Sequence, residues 1–149
     1  IATMLGFLFW GAFATRMSRR GIEPIVILMW ATVAYMGLQM LLVFEVTQMS
    51  WVIWIGWGLL GTSGSLAFSI ISQSFPVQLT GRATTALNLL AFTTAFGSQW
   101  LFGIILNQWD TVGTGYAPEG YVCAFSIFLI LQVLGFTWMV RGYLKHRGT

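Results

Sequence analysis

Apolar residues fill this chain in five long blocks, at 1–15, 25–44, 51–75, 83–108 and 121–141, separated by short joints that carry polar, glycine or proline residues. A helix needs about 20 mostly apolar residues to cross a bilayer. Four blocks reach that length, and the first offers only about 22 Å of helical rise. It begins at Ile1, with neither an initiator Met nor the basic flank of a signal peptide, and reads as a helix whose start lies upstream. The chain is therefore expected to be a fragment of a longer protein.

The joints carry the chemistry of helix ends. Gly21 serves as a stop and Pro24 as a start between the first two blocks. Ser50 can cap the third. Phe75 and Pro76 end it, because proline has no N–H to donate and disfavours helix at the residue before it. Gly81 precedes the fourth block, and Thr111 to Gly120, with three glycines and Pro118, forms the longest loop. The pattern predicts an all-α, polytopic transmembrane helix bundle of five spans.

Composition strengthens this reading. The 149 residues are 57% hydrophobic and 7% charged, whereas soluble domains carry about a quarter charged residues. That balance rules out an aqueous fold, a disordered tail and a disulfide scaffold. Cys123 is the single cysteine and lies within an apolar run. The net charge of +3 does not mark a nucleic-acid partner, since the basic residues sit in short clusters rather than on one continuous face.

Charge placement fixes the orientation. Arg16, Arg19 and Arg20 follow span one, Arg82 follows span three, and Arg141, Lys145 and Arg147 follow span five. In a five-pass zigzag all of them fall on one side, and a miscounted span would break that sorting. Glu45, Asp110 and Glu119 fall on the other side, with Glu23 alone beside the arginines. The positive-inside rule makes the basic side cytoplasmic. An integral plasma-membrane protein with a cytoplasmic carboxyl terminus is expected, in the inner membrane if the source is bacterial. Trp51, Trp54, Trp109 and Tyr121 gather near the outer boundary, and Trp138 and Tyr143 mark the inner one. Trp54 and Trp57 are also placed to face an interior cavity.

The segment from Gly11 to Gly21 joins a small-residue helix end to a loop holding Arg16, Arg19 and Arg20. Gly11 permits close approach of a neighbouring helix, and the arginines can hold helix-end carbonyls or acidic groups. The segment resembles the loop motif of the major facilitator superfamily, Gly-x-Leu-x-Asp-Arg-x-Gly-Arg-Arg. Gly11, Arg16, Arg19 and Arg20 match it, Phe13 replaces Leu, and Thr15 and Ser18 stand where Asp and Gly are usual. The stretch from Phe75-Pro76 through Thr80-Gly81-Arg82-Ala83 to Asn88 is similar to the family's junction between helices 10 and 11.

The resemblance covers essentially the whole chain and implies helices 8 to 12, five spans of an incomplete six-helix half of a major facilitator fold. Its partners would be the missing amino-terminal half of the transporter, the lipid bilayer and a small-molecule solute. It also implies that spans one, three and four border the central cavity while two and five are peripheral. Gly11, Thr15, Arg16, Arg19 and Arg20 would form the cytoplasmic gate loop. Because the family's Asp pairs with charge in the other half, Thr15 implies a weaker or differently built latch.

Polar residues within the spans suggest where a solute would pass. Gly58, Thr62, Ser65, Ser69 and Ser72 advance by four, three, four and three, forming one small and mildly polar stripe. Such a stripe is either a helix-packing seam or a passage wall. Packing is the role expected of Gly56, Gly58, Gly61 and Gly64, and the hydroxyls suit either use. On span four Thr84, Asn88, Ala91, Ala95 and Gln99 repeat the spacing. An amide facing hydrocarbon would leave donors unsatisfied, so this face must look inward. Thr62, Ser65, Thr84, Asn88 and Gln99 are the substrate-path candidates. Thr32, Tyr35 and Gln39 share a face, as do Gln132 and Thr137 less clearly, and structural hydrogen bonding is their expected role. Met29, Met36 and Met40 are gap fillers.

No ionisable residue lies near the middle of any span, although such residues mark proton relays and ion pathways. His146 is the single histidine and sits in the basic tail. With no metal cluster, phosphate-cradling loop or nucleophile and base pair in the sequence, neither an enzyme nor a cofactor is expected. The sequence thus points to part of a secondary active transporter working by alternating access. The competing reading is a non-transport membrane assembly or anchoring module whose small-residue stripes only pack helices.

Overall fold

A computed structural model describes residues 2–46, 50–112 and 115–147. Helix α1 (Ala2–Ser18) is followed by α2 (Pro24–Val43), then α3 (Ser50–Gly61), a 3₁₀ turn (Thr62–Ser65) and α4 (Leu66–Ser74). Helix α5 (Val77–Leu106), a ribbon of β1 (Thr111–Val112) and β2 (Gly115–Tyr116), and α6 (Pro118–Arg147) complete the order. Helices α3 and α4 form one rod through the 3₁₀ turn. That rod, α2, α5 and α6 are each long and apolar enough to cross a membrane. Helix α1 has 17 described residues, about 25 Å of rise.

The joints act largely as their residues dictate. At the end of α1 the Gly21 N–H donates to Ser18 O at 3.0 Å and the Ile22 N–H to Met17 O at 3.1 Å. This is a Schellman closure with Gly21 at φ +81°. The end of α2 repeats it without a glycine. Glu45 takes φ 54° while its N–H reaches Leu42 O at 3.1 Å and that of Val46 reaches Leu41 O at 3.0 Å. Phe75 is extended at φ −120° and ψ 148° and ends α4. Pro76 then caps α5, its carbonyl accepting from the Leu79 and Thr80 N–H groups.

Several boundaries differ from those the sequence suggests: α1 runs on to Ser18 instead of ending at 15, and α5 ends at Leu106 instead of 108. Gly81 does not precede a helix but lies inside α5, which starts at Val77 because the Pro76 carbonyl already closes its first turn. The cost of an interior glycine, about 1 kcal/mol, does not break so long a rod. Helix α6 starts at Pro118, whose fixed φ suits a first helical position. It also runs on to Arg147, with Lys145, His146 and Arg147 in its last turn favoured by the helix dipole. The loop between α5 and α6 is partly ordered as an antiparallel pair, Thr111 opposite Tyr116 and Val112 opposite Gly115. Ile1, where the sequence starts the first span, and loop positions 113–114 lie outside the described residues.

Packing alternates the helix directions. Gly58 abuts Ala2, Gly6 abuts Thr62, and Trp10 shares a buried cluster with Leu66, so α1 runs parallel to the α3–α4 rod. Gly56 against Leu38 and Gly61 against Tyr35 make α2 antiparallel to that rod. Glu23 meets Arg147 at 3.1 Å and Gln39 meets Phe125, which sets α2 antiparallel to α6. The Glu23–Arg147 pair is 49% and 63% exposed, so it marks register more than it stabilises. Helix α5 packs between α4 and α6.

Helix α2 is in contact with α1, α3, α4 and α6, and it buries Ile27, Ala31 and Gln39. It is the hub of the described helices, not the peripheral helix that the resemblance implies. Its small Ala31 and the glycines opposite it allow neighbours on several sides. Large apolar side chains cover the outside instead: Trp30, Phe92, Phe96 and Trp138 are each more than 70% exposed. In lipid that surface needs no further cover.

The seam between α1 and the third rod is the tightest. A Cβ on Gly6 would overlap Thr62 Oγ1 and stand 3.0 Å from Leu59 O. A Cβ on Gly11, by contrast, would meet nothing within 4 Å, so the close approach comes at Gly6, more than one turn before the position the sequence suggests. Gly6→Ala should lower stability in detergent by about 1–3 kcal/mol through overpacking, whereas Gly11→Ala should be neutral or stabilising by about 1 kcal/mol. Thermal unfolding of both variants checks the contrast. At the helix ends, Gly21→Ala should cost about 1–2 kcal/mol and Glu45→Gly should gain about 1 kcal/mol, since only glycine enters the left-handed region without strain. A Glu45→Gly variant that melts below wild type would contradict that account.

Candidate functional site

The 3₁₀ turn is where polar groups first meet inside the bundle. Thr62 and Ser63 are buried. Leu59 O accepts both Trp10 Nε1 and Thr62 Oγ1, each at 2.8 Å. A change from the i−4 to the i−3 ladder perturbs a helix locally, and small residues in the stretch Thr62-Ser63-Gly64-Ser65 make room for it. The Thr62 hydroxyl hydrogen is therefore engaged within its own rod, at the seam with Gly6.

Beside this turn lies an open cleft of about 530 Å³. Thr3 and Phe7 of α1, Gly58 and Gly61 of α3, Ser65 of the turn and Ala91 of α5 contribute to its wall. Residues of spans one, three and four thus meet at one cleft, and Thr62 and Ser65 both border it. Thr84 and Asn88 line neither this cleft nor the neighbouring chamber. Asn88 is exposed on α5, near Leu89 and Phe92, while Thr84 is half-buried.

The neighbouring chamber, of about 630 Å³, lies among α2, α3, α5 and α6. Gln99 and Ser98 enter it from α5, Tyr35 and Gln39 from α2, and Gln132 from α6. Its other wall is aromatic. Tyr35 and Trp57 stand 4.5 Å apart between ring centroids, Trp57 and Phe125 5.7 Å, and Phe102 and Phe125 5.3 Å. Trp57 borders both chamber and cleft. Along α5, Ala91 at the cleft and Gln99 at the chamber are two turns apart, about 12 Å.

Gln39 is 1% exposed and its Nε2 donates to Phe125 O at 2.8 Å, tying α2 to α6. Because a peptide carbonyl can only accept, this bond fixes the amide orientation. Gln39 Oε1 is left buried without a donor, and Gln132 Oε1 is in the same condition. Each such oxygen costs about 1–3 kcal/mol relative to a paired one.

Gln39 and Gln132 were legible in the sequence only as structural amides on expected peripheral helices. The signal that could have found them is the pairing of Tyr35 with Gln39 at i, i+4, one turn of α2 in otherwise apolar surroundings. Other span hydroxyls turn back on their own helices: Thr32 to Leu28 O, Ser126 to Val122 O and Thr137 to Val133 O.

At the end of α1, Gly11, Thr15, Arg16 and Arg19 line an open surface groove, while Arg20 lies in the following turn. Thr15 Oγ1 donates to Gly11 O at 2.8 Å, so its proton is engaged within α1. The two arginines of the groove are exposed. No protein-family model matches the chain, and no curated protein or solved structure matches it either.

Proposed function

We propose that this bundle is the carboxyl-terminal part of a secondary transporter of the major facilitator kind, moving a small solute by alternating access. The observation that carries the reading is the polar stripe of α5, which reaches the wall of the cleft at Ala91 and the chamber at Gln99, with Trp57 between the two spaces. A helix that only anchors or packs has no need to carry a small residue to one cavity and an amide to the other.

Exposure of Asn88 adds to this. A carboxamide left in hydrocarbon costs a few kcal/mol, so the Asn88 face calls for a polar-lined neighbour or water beside it. A second bundle rocking against this one supplies both in turn, and solute then passes between them. In this reading Ser65, Asn88 and Gln99 offer hydrogen bonds along the path. The arginines of the α1 groove meet the other bundle at the cytoplasmic side when the inner gate closes, and Thr15 contributes no charge to that contact.

Uptake by the whole protein in proteoliposomes, screened over neutral and charged solutes, tests the proposal. For a transported solute, Asn88→Ala and Gln99→Ala should each lower kcat/KM by about tenfold or more, corresponding to loss of about 1.4 kcal/mol of transition-state binding. Transport unchanged in both variants would remove these residues from the path.

A further inference from the structure

We infer that a zwitterionic phospholipid of one leaflet sits astride the outer face of α2, with its phosphate on Arg147, its ammonium on Glu23 and its acyl chains in the grooves on either side. This goes beyond the transport reading and needs only that the helices lie in a bilayer.

Ile22, just before α2, and Val26 and Trp30 within it recur at every fourth position and form a ridge. On one side an open groove of about 540 Å³ lies against α6 and reaches Val33 and Phe136. On the other a groove of about 350 Å³ lies against α1. The three ridge residues line both grooves, and Trp30 stands 72% exposed between them. The Asn88 face of α5, which the proposed second bundle would meet, contributes to neither groove.

The depth fits one leaflet. From Pro24 to Val33 α2 rises about 14 Å, and from Phe136 to Arg147 α6 rises about 17 Å, against about 15 Å for half of a hydrocarbon core. Charge occupies only one end of that length, at Glu23 and Arg147, as an amphiphile with its head at the interface requires.

Both charges are within reach of a headgroup, Glu23 being 49% and Arg147 63% exposed. Arg147 donates from Nη2 to Glu23 Oε1, and its remaining N–H groups can serve a phosphate. The Tyr143 ring, 5.0 Å beneath the guanidinium, holds it in place. The Glu23 carboxylate keeps lone pairs for an ammonium. An anionic lipid would set its phosphate on Arg147 and leave Glu23 facing negative charge, whereas a head carrying both signs answers both residues.

Phosphatidylethanolamine and phosphatidylglycerol with identical acyl chains, titrated into the delipidated whole protein in detergent and counted by native mass spectrometry, test the inference. The first phosphatidylethanolamine should bind at least about threefold more tightly than phosphatidylglycerol, the scale of one exposed ion pair. Glu23→Gln should lower that ratio by at least about threefold, because Arg147 alone favours the anion. Trp30→Ala removes the ridge and should weaken both lipids by at least about threefold. Both substitutions fall on exposed side chains, so the bundle should fold in each. A smaller effect in any of the three comparisons would overturn the inference. So would a dimer that Trp30→Ala dissociates, the result expected if a second copy covers this face, or the absence of any lipid adduct, expected if another part of the whole protein fills the grooves. These lipid preferences in a protein that transports nothing would retire the transport reading and leave the lipid site standing. Uptake that depends on Asn88 without them would do the reverse.

Discussion

Hydrocarbon offers no hydrogen bonds, and that constraint orders the polar groups of this chain. Most hydroxyls within the helices answer it locally by donating to a carbonyl one turn back, as Thr32, Ser126 and Thr137 do. Such bonds cost nothing in tertiary specificity because each helix makes them alone. Two bonds are different. Trp10 Nε1 to Leu59 O and Gln39 Nε2 to Phe125 O cross between helices, and they tie α1 to the third rod and α2 to α6. Around these ties the bundle takes its register, with Gly6 and Thr62 in close contact on one side of it and Glu23 beside Arg147 at one end.

The same constraint gives meaning to what is left over. A soluble core would place Gln39 Oε1 and Gln132 Oε1 near water or replace them with apolar atoms. Here both stay covered beside a chamber walled by aromatic rings. Paired with the exposed Asn88 of α5, they concentrate the unsatisfied polarity of the spans on the faces of α2, α5 and α6 rather than spreading it evenly. Under the function proposed above, uneven polarity of this kind would line the passage, without an ionisable residue near the middle of any span.

The 3₁₀ turn at Thr62–Ser65 joins these themes. It interrupts a rod that would otherwise be uniform, brings a second side-chain donor onto Leu59 O, and places Ser65 at the cleft. Its residues are the small polar ones of a stripe that has two possible uses in the sequence, packing and passage. In the structure the same residues serve both: Gly58 and Thr62 lie against α1 and also border the cleft, whose wall Ser65 and Ala91 of α5 continue.

By itself the amino-acid sequence determined the helices and where the chain breaks between them, because hydropathy, Pro76 and Gly21 act over a few residues and do so in any context. Alternating charge also gave the order of helix directions, which Gly58 beside Ala2 and Glu23 beside Arg147 reproduce. Tertiary structure alone decided which faces meet. In helices apolar on nearly every side the periodicity that distinguishes inside from outside is faint, so nothing local separates Gln39 at a chamber from Gln39 at a seam. It took packing to make α2 the hub, to put Gly6 rather than Gly11 at the close approach, and to gather Gln39, Gln99 and Gln132 around one space.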